Sequence, residues 1–302
     1  MPGPDSLDVL DVDAYLDRIG VETGSVADAD YETLARLQHA HVHRVPFENL
    51  AIVGHPHRDR DDVADAADGN EVVLDTGVLF EKIVERERGG YCFELNGLFH
   101  ALLAELGYDV DRVAARVVGR DGDARPPANH HANVVDLHRR FVVDVGMGTP
   151  QMRQPTPLDG TEVTDDAGVT WRVAESDRPD AAYETQYREP HEREWHTRYV
   201  FDTTPRSLSY FDATNDHLQT SPESPFSSTL TLSIATPDGY RTLDADTHTL
   251  VTFHDVDDGT SLGPDAIGDD DRTRIEKRTR ERPVPPTDWD VVLESTFGLH
   301  RD

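Results

Sequence analysis

The sequence predicts an α+β fold, and three features of its patterning carry that reading. Apolar residues recur at helical spacing through roughly the first hundred positions. From Tyr108 onward the apolar period changes to two, and the chain ends in further strands followed by one more helical segment. Helices first, then strands, then a mixed end is the order of an α+β chain rather than of alternating βαβ units.

Each element has its own local signal. In DVDAYLDRIG, Tyr15, Leu16 and Ile19 share one helical face, and Gly20 stops the helix. DYETLARLQHAHVHR takes Asp30 as N-cap, spaces Leu34, Leu37 and His41 helically, and must end before Pro46 of VPFENL. HPHRDRDDVADAADGN is charged, without large apolar spacing, and reads as a solvated loop. DTGVLFEKIVERERGG begins at Asp75 or Thr76, buries Leu79 and Ile83, and stops at Gly89-Gly90. CFELNGLFHALLAELG carries the stripe Leu95, Leu98, Phe99, Leu102, Leu103 and Leu106, with Gly107 just past its end. DRVAARVVGR, HHANVVDL, RFVVDVGM, VTWRVAES, TQYREP and TRYVFD read as strands separated by turns. STLTLSIA and, beyond PDGY, THTLVTFHD read as another antiparallel pair, and PPTDWDVVLESTFGL as a closing helix. There is no internal repeat.

Composition sets the environment. The 302 residues hold 59 acidic against 29 basic side chains, a formal charge of -30. Such a surface repels nucleic acid and anionic membrane, which excludes both as partners. Lysine occurs only at Lys82 and Lys277, the remaining cations being arginine. Acid-rich, lysine-poor and thin in large apolar residues is the composition of a protein in concentrated salt, where the Debye length falls to about 3 Å. No apolar run approaches the ~20 residues of a membrane span, and MPGPDSLDVL has no apolar signal segment. The expectation is a soluble, cytoplasmic, halophilic protein.

The chemistry centres on RGGYCFELNG. Cys92 is the only cysteine, which rules out an intrachain disulfide and argues against thiolate zinc. It stands in the first turn of a predicted helix, where free N–H groups and the macrodipole favour an anion. There a thiol pKa falls from about 8.5 into a range of about 3.5–7.5, and the same N–H groups can receive an oxyanion. HHANVVDLHRRFVVDVGMG adds a histidine pair at the start of one strand and Asp144 within the apolar run of the next. A carboxylate there must be hydrogen-bonded, and an imidazole N–H is a fitting donor, so Cys–His–Asp forms a thiol version of the serine triad. The plainer alternatives are a buried inert thiol, a strand-end turn at Asp144 with Gly146, and a loop pair or weak metal site at His130 and His131.

Strand alternation lets only one of those histidines face Asp144. A two-residue turn at His138-Arg139 would pair Asn133 with Asp144 and select His131. A three-residue turn from His138 to Arg140 would pair Val134 with Asp144 and select His130. HRR offers no Asn, Asp or Gly for a two-residue turn, so the expectation is His130, with His131 the alternative.

RGGYCFELNGLF, the preceding VPFENL, the hairpin ending DVGMG and FDATNDHLQTSPESPF together resemble the arylamine N-acetyltransferase family, in that family's order and over most of the chain. The resemblance implies a helical bundle (1–107), a β-barrel-like domain (108–205) and an α/β lid (206–302), with a thiol-protease-like core. It implies acetyl transfer from acetyl-CoA to an arylamine, arylhydroxylamine or hydrazine through a Cys92 thioester, in ping-pong order. Cys92 matches the nucleophile, Asp144 the acid that orients the histidine, and Phe47 a pocket aromatic. Met147 stands where the family has phenylalanine, which replaces an aromatic surface with a more adaptable thioether. Gly148, Thr220, Ser221 and Ser224 match the region that approaches coenzyme A, although Pro225 departs from the family's small polar residue. No metal is implied.

Three rivals remain beside this reading: a thiol hydrolase or amide synthase using the same triad, a non-catalytic binding protein, and a metal protein built on HVHR, HPHR and HH. The charge alone makes a prediction. In dilute buffer, unscreened repulsion among the acidic groups should expand the chain. Far-UV circular dichroism and activity should both recover toward molar potassium chloride, and a cooperative melt with full activity in dilute buffer would refute the halophile reading.

Overall fold

The computed structural model describes residues 10–26, 28–58, 72–255 and 275–300. The chain opens with α1 (Val12–Ile19), capped by Asp11 and closed by Gly20 at a φ of 71°. Helix α2 (Tyr31–Arg44) starts at Asp30, whose carboxylate accepts from Thr33 N–H at 2.8 Å. A short strand β1 (Phe47–Glu48) and one turn of helix α3 (Leu50–Val53) follow. Helix α4 (Thr76–Phe80) is capped by Asp75 and runs into a wider π turn over Glu81–Glu85. Helix α5 (Cys92–Glu105) is buried along most of its length. The predicted loop HPHRDRDDVADAADGN lies largely outside the described residues.

Eight strands then form one antiparallel sheet in the order β5-β4-β3-β2-β9-β8-β7-β6. They are β2 (Asp109–Val117), β3 (His130–Asp136), β4 (Arg140–Val143), β5 (Thr156–Pro157), β6 (Val163–Thr164), β7 (Thr170–Glu175), β8 (Tyr183–Arg188) and β9 (His196–Pro205). The sheet curls until β5 lies against β7, nearly closing a barrel around Trp171, Tyr199, Phe201 and Met152. Helices α6 (Asp212–Thr220) and α7 (Pro225–Ser228) lead to a second sheet, ordered β1-β10-β11-β12-β13. Its later strands are β10 (Leu232–Thr236), β11 (Gly239–Leu243), β12 (Thr247–Asp255) and β13 (Ile275–Pro283), and helix α8 (Trp289–Phe297) packs Trp289, Leu293 and Phe297 onto it. No helix among the described residues is long and apolar enough to cross a membrane.

The α+β class is as the patterning predicts, but two sheet details differ from the sequence reading. STLTLSIA and THTLVTFHD do not pair with each other: β11 lies between β10 and β12 and bonds to both. Strand β13, IEKRTRERP, was not anticipated at all, because it is largely exposed and held by its ladder to β12 rather than by apolar alternation.

The core that positions α5 joins helices to sheet. Leu34, Leu37, Leu79, Ile83, Leu95, Leu98 and Leu102 share one buried cluster with Val135, Phe141 and Val143 of β3 and β4. A buried ion cluster fixes the entry to α5: Lys82 Nζ lies 2.6 Å from Glu94 and 3.8 Å from Glu48. Gly89 must be glycine here, since a Cβ would stand 2.4 Å from the Pro46 carbonyl oxygen and 2.7 Å from Glu48 Cγ. That contact is why VPFENL and RGGYCFELNG occur in one chain: each is packed on the other.

Three imidazoles lie in or against this core, His41 and His131 buried and His100 partly exposed. Burial lowers His41 to about 3 and His100 to about 3, and pushes His131 well below its ordinary value. In the unfolded chain each takes up a proton near pH 6.5, which the folded state resists, so folded stability present above about pH 6.5 is lost as pH falls. In molar potassium chloride, where charge repulsion is screened, the denaturant midpoint should be lower at pH 5 than at pH 7.5. An equal or higher midpoint at pH 5 would contradict this burial.

Candidate active site

Cys92 occupies the first turn of α5. Tyr91 precedes it as N-cap, its N–H donating to the Glu94 carboxylate at 3.0 Å, while Glu94 and Leu95 N–H groups bond back to the Tyr91 carbonyl. The sulfur is buried and 3.9 Å from the carbonyl oxygen of Asn129, the residue just before His130. Main-chain N–H groups of Phe93 and Cys92 favour the thiolate, but burial and then the Asp144 charge outweigh them and push the thiol up. The expectation of a lowered pKa from the helix terminus is therefore overturned: at this site desolvation is the larger effect.

His130 and Asp144 meet 2.7 Å apart, imidazole Nε2 to carboxylate Oδ2, with both side chains essentially without exposure. The second carboxylate oxygen accepts from Asn96 Nδ2 at 2.8 Å and from Gly146 N–H at 3.0 Å. Burial raises the Asp144 pKa, yet the His130 charge and these hydrogen bonds outweigh it and hold the carboxyl below its usual range. An ionised Asp144 accepts the Nε2–H, leaving Nδ1 as the basic nitrogen of His130. The ring also lies 5.0 Å from Tyr199, centroid to centroid.

The hairpin delivers His130 by a register different from the predicted one. The loop is Leu137 to Arg139, so Asp136 opposes Arg140, Val135 opposes Phe141 and Asn133 opposes Val143. This sets opposite charges across from each other and buries apolar against apolar, where the expected pairing of Val134 with Asp144 would have mixed them. The shift is two residues, which preserves the alternation, so the face of His130 is unchanged. Strand β4 ends at Val143, and Asp144 begins the turn beyond it rather than lying inside the strand. His131 points the other way, stacked on Phe211 at 4.9 Å and 3.3 Å from Asn133 Oδ1.

Phe47 sits on β1 beside Gly90 and faces Phe226 at 6.2 Å. Met147 is buried in the barrel cluster, and a Cβ on Gly148 would come 3.9 Å from Arg198 Nη2. Thr220 ends α6 and Ser221 follows it, with the Thr220 hydroxyl donating to the Asp216 carbonyl and the Ser221 side chain accepting from Glu223 N–H. The Ser224 hydroxyl donates to Leu218 O at 2.6 Å and caps α7, so it pins this loop.

This site, on this fold, fits what comparison with known proteins finds. A family model described as N-acetyltransferase matches residues 30–274. An arylamine N-acetyltransferase of Mycolicibacterium smegmatis is 34% identical over 236 residues, spanning 76% of this chain and 78% of that protein. This chain belongs to the arylamine N-acetyltransferase family. The enzyme is thus a transferase. A family member from Mycobacterium marinum, solved in complex with CoA, superposes with a TM-score of 0.72 at 26% identity, covering 96% of this chain and 93% of that one. Proansamycin X synthase of Amycolatopsis mediterranei is 33% identical over 214 residues, 70% of this chain and 75% of that one.

Asn96 is the residue that sequence reasoning missed. Besides Asp144, its amide donates to the His131 carbonyl, its Oδ1 accepts from Val145 N–H at 2.9 Å, and its own carbonyl accepts from Asn133 at 3.1 Å. It lies one helical turn after Cys92, so a polar residue on an otherwise apolar helix face was the available signal. Asn96→Ala would leave Asp144 short of a donor in a dry site, where an unmet buried partner costs about 1–3 kcal/mol. The enzyme should fold with a lowered melting temperature and lose at least tenfold in kcat. An Asn96→Ala enzyme with unaltered kcat would show that His130 needs no such support.

Proposed function

We propose that the enzyme moves an acetyl group from acetyl-CoA to an arylamine, arylhydroxylamine or hydrazine through a Cys92 thioester. The observation that carries this reading is the buried 2.7 Å bond between His130 and Asp144, with Cys92 Sγ 3.9 Å from the carbonyl oxygen of Asn129, the residue before His130. Cys92 rests as a neutral thiol. His130 Nδ1 takes its proton as the sulfur attacks the thioester carbonyl, and the imidazolium is stabilised by Asp144. The free N–H groups of the first α5 turn are the donors for the oxyanion. The imidazolium returns its proton to the departing coenzyme A sulfur, leaving acetyl-Cys92. In the second half His130 removes a proton from the attacking amine, and Cys92 leaves as thiolate and is reprotonated.

Phe47 and Met147 line the acceptor side in this reading, and Gly148, Thr220, Ser221 and Ser224 the donor side. The setting is a cytoplasm of concentrated salt, where counterions screen the repulsion between a -30 chain and an anionic donor.

Intact-mass spectrometry tests the scheme. Acetyl-CoA should add one acetyl group to the wild type and none to Cys92→Ala, and an arylamine should remove it. Removal of a general base typically costs 10²–10⁴-fold, so His130→Ala should slow acylation by about that factor while His131→Ala stays near wild type. Loss in His131→Ala alone would reverse the assignment. Release of free acetate without any amine would favour a hydrolase, and an adduct formed only with a different acyl donor would favour an amide synthase.

A further inference from the structure

Away from Cys92, helix α2 and the turn between β6 and β7 bring together a second group of chemically capable side chains. One ring nitrogen each of His39 and His43 and one carboxylate oxygen of Asp166 lie within 4.8 Å of one another. The histidines are four residues apart on α2, so they share a face, with rings stacked 4.1 Å apart. His39 Nε2 is already 3.0 Å from Asp166 Oδ2.

His43 supplies the decisive detail. Its Nδ1 lies 2.7 Å from the His39 carbonyl oxygen, and a carbonyl can only accept, so Nδ1 carries the proton. Nε2 is then the nitrogen with the free lone pair, and it is buried without a hydrogen-bond partner. Imidazole with one nitrogen donating to a backbone carbonyl and the other left open is the arrangement that metal-ligating histidines use. Asp166 is fixed in the same manner, because its Oδ1 accepts from Arg153 Nη1 at 2.9 Å while Oδ2 faces His39. The turn itself is set by Asp165, whose carboxylate accepts from Ala167 and Val169 N–H at 3.0 and 2.9 Å. Asp165 also faces the Arg153 guanidinium at 3.5 Å and offsets its charge, so Asp166 contributes a net negative charge to the cluster.

We propose that His39, His43 and Asp166 form a binding site for a divalent transition-metal ion of the zinc class. Two imidazoles and one carboxylate suit zinc rather than magnesium or calcium, which take all-oxygen shells. With bonds of about 2.0–2.2 Å, tetrahedral ligand atoms lie roughly 3.4 Å apart, so the group needs only a small contraction. His39 and Asp166 are 43% and 40% exposed, which leaves an entry path and room for water in the fourth position. The ion would clip α2 to the barrel turn across 127 residues of sequence. A second ligating group, Glu189, His191 and Glu192, competes less well, since Lys277 already neutralises Glu189 at 2.7 Å.

Untagged enzyme stripped with a chelator and held in molar potassium chloride should be titrated calorimetrically with zinc chloride, and its melting temperature followed. Wild type and Cys92→Ala should each bind one equivalent and melt higher with zinc. His39→Ala, His43→Ala and Asp166→Asn should each weaken binding about tenfold or more and lose the zinc-dependent rise. Asp166→Asn keeps an acceptor for Arg153, so its zinc-free melting temperature shows that folding is intact. No uptake by wild type, uptake unchanged in His43→Ala, loss in Cys92→Ala, or loss only in Glu189→Gln would each overturn the site.

Discussion

Asp144 is the constraint around which the rest is arranged. Among the described residues only five acidic side chains are buried, and Asp144 is one of them, with no exposure. A charged carboxylate in that position is tolerated only when its oxygens are fully met. The three donors come from three separated parts of the chain: His130 of β3, Asn96 of α5 and the main chain at Gly146. Satisfying one carboxylate therefore fixes the tautomer of the histidine, the seating of α5 on the barrel and the path of the turn after β4. Gly146 follows from the same demand. A Cβ there would stand 2.6 Å from the Asn96 amide and 2.8 Å from Cys92 Cα, so any side chain would push the nucleophile's helix off the turn.

What could be read from the sequence was whatever local rules decide. Cys92 at a helix start is legible because a glycine pair and an apolar stripe are contiguous signals. That His130 rather than His131 faces Asp144 is legible although the register is two residues off, because only parity matters for which face a strand residue takes. The parts that were not legible depend on distant partners. Nothing near Asn96 announces Asp144, 48 positions away. Strand β13 has no apolar alternation to betray it, since its neighbours on β12 supply the order. HVHR draws His43 into a metal reading with His41, but the partners the fold brings to it, His39 and Asp166, lie outside that motif.

A few cations among the described residues serve buried or main-chain partners. Lys82 serves the buried Glu48 and Glu94, Lys277 the buried Glu189, and Arg153 the Asp165–Asp166 pair. Arg18 is bound to four main-chain carbonyls, of Ile83, Arg44, Glu87 and Arg88. Interior use of scarce cations sharpens the contrast between a charge-matched core and an acid-rich exterior.

In the proposed mechanism, a thiol pushed up by burial and the Asp144 charge reconciles a reactive residue with a buried one. A helix N-terminus by itself would favour a thiolate, but Cys92 is enclosed and sees the charge of Asp144 from nearby. A free-standing thiolate in that enclosure would be poorly solvated. In that mechanism the proton stays on sulfur until the attack, with His130 as its acceptor. Asp144 would then act on both sides of the transfer: its charge disfavours the lone thiolate and would favour an imidazolium formed as the proton moves. In this reading one buried carboxylate restrains the thiol at rest and supports the charged pair through which it would act.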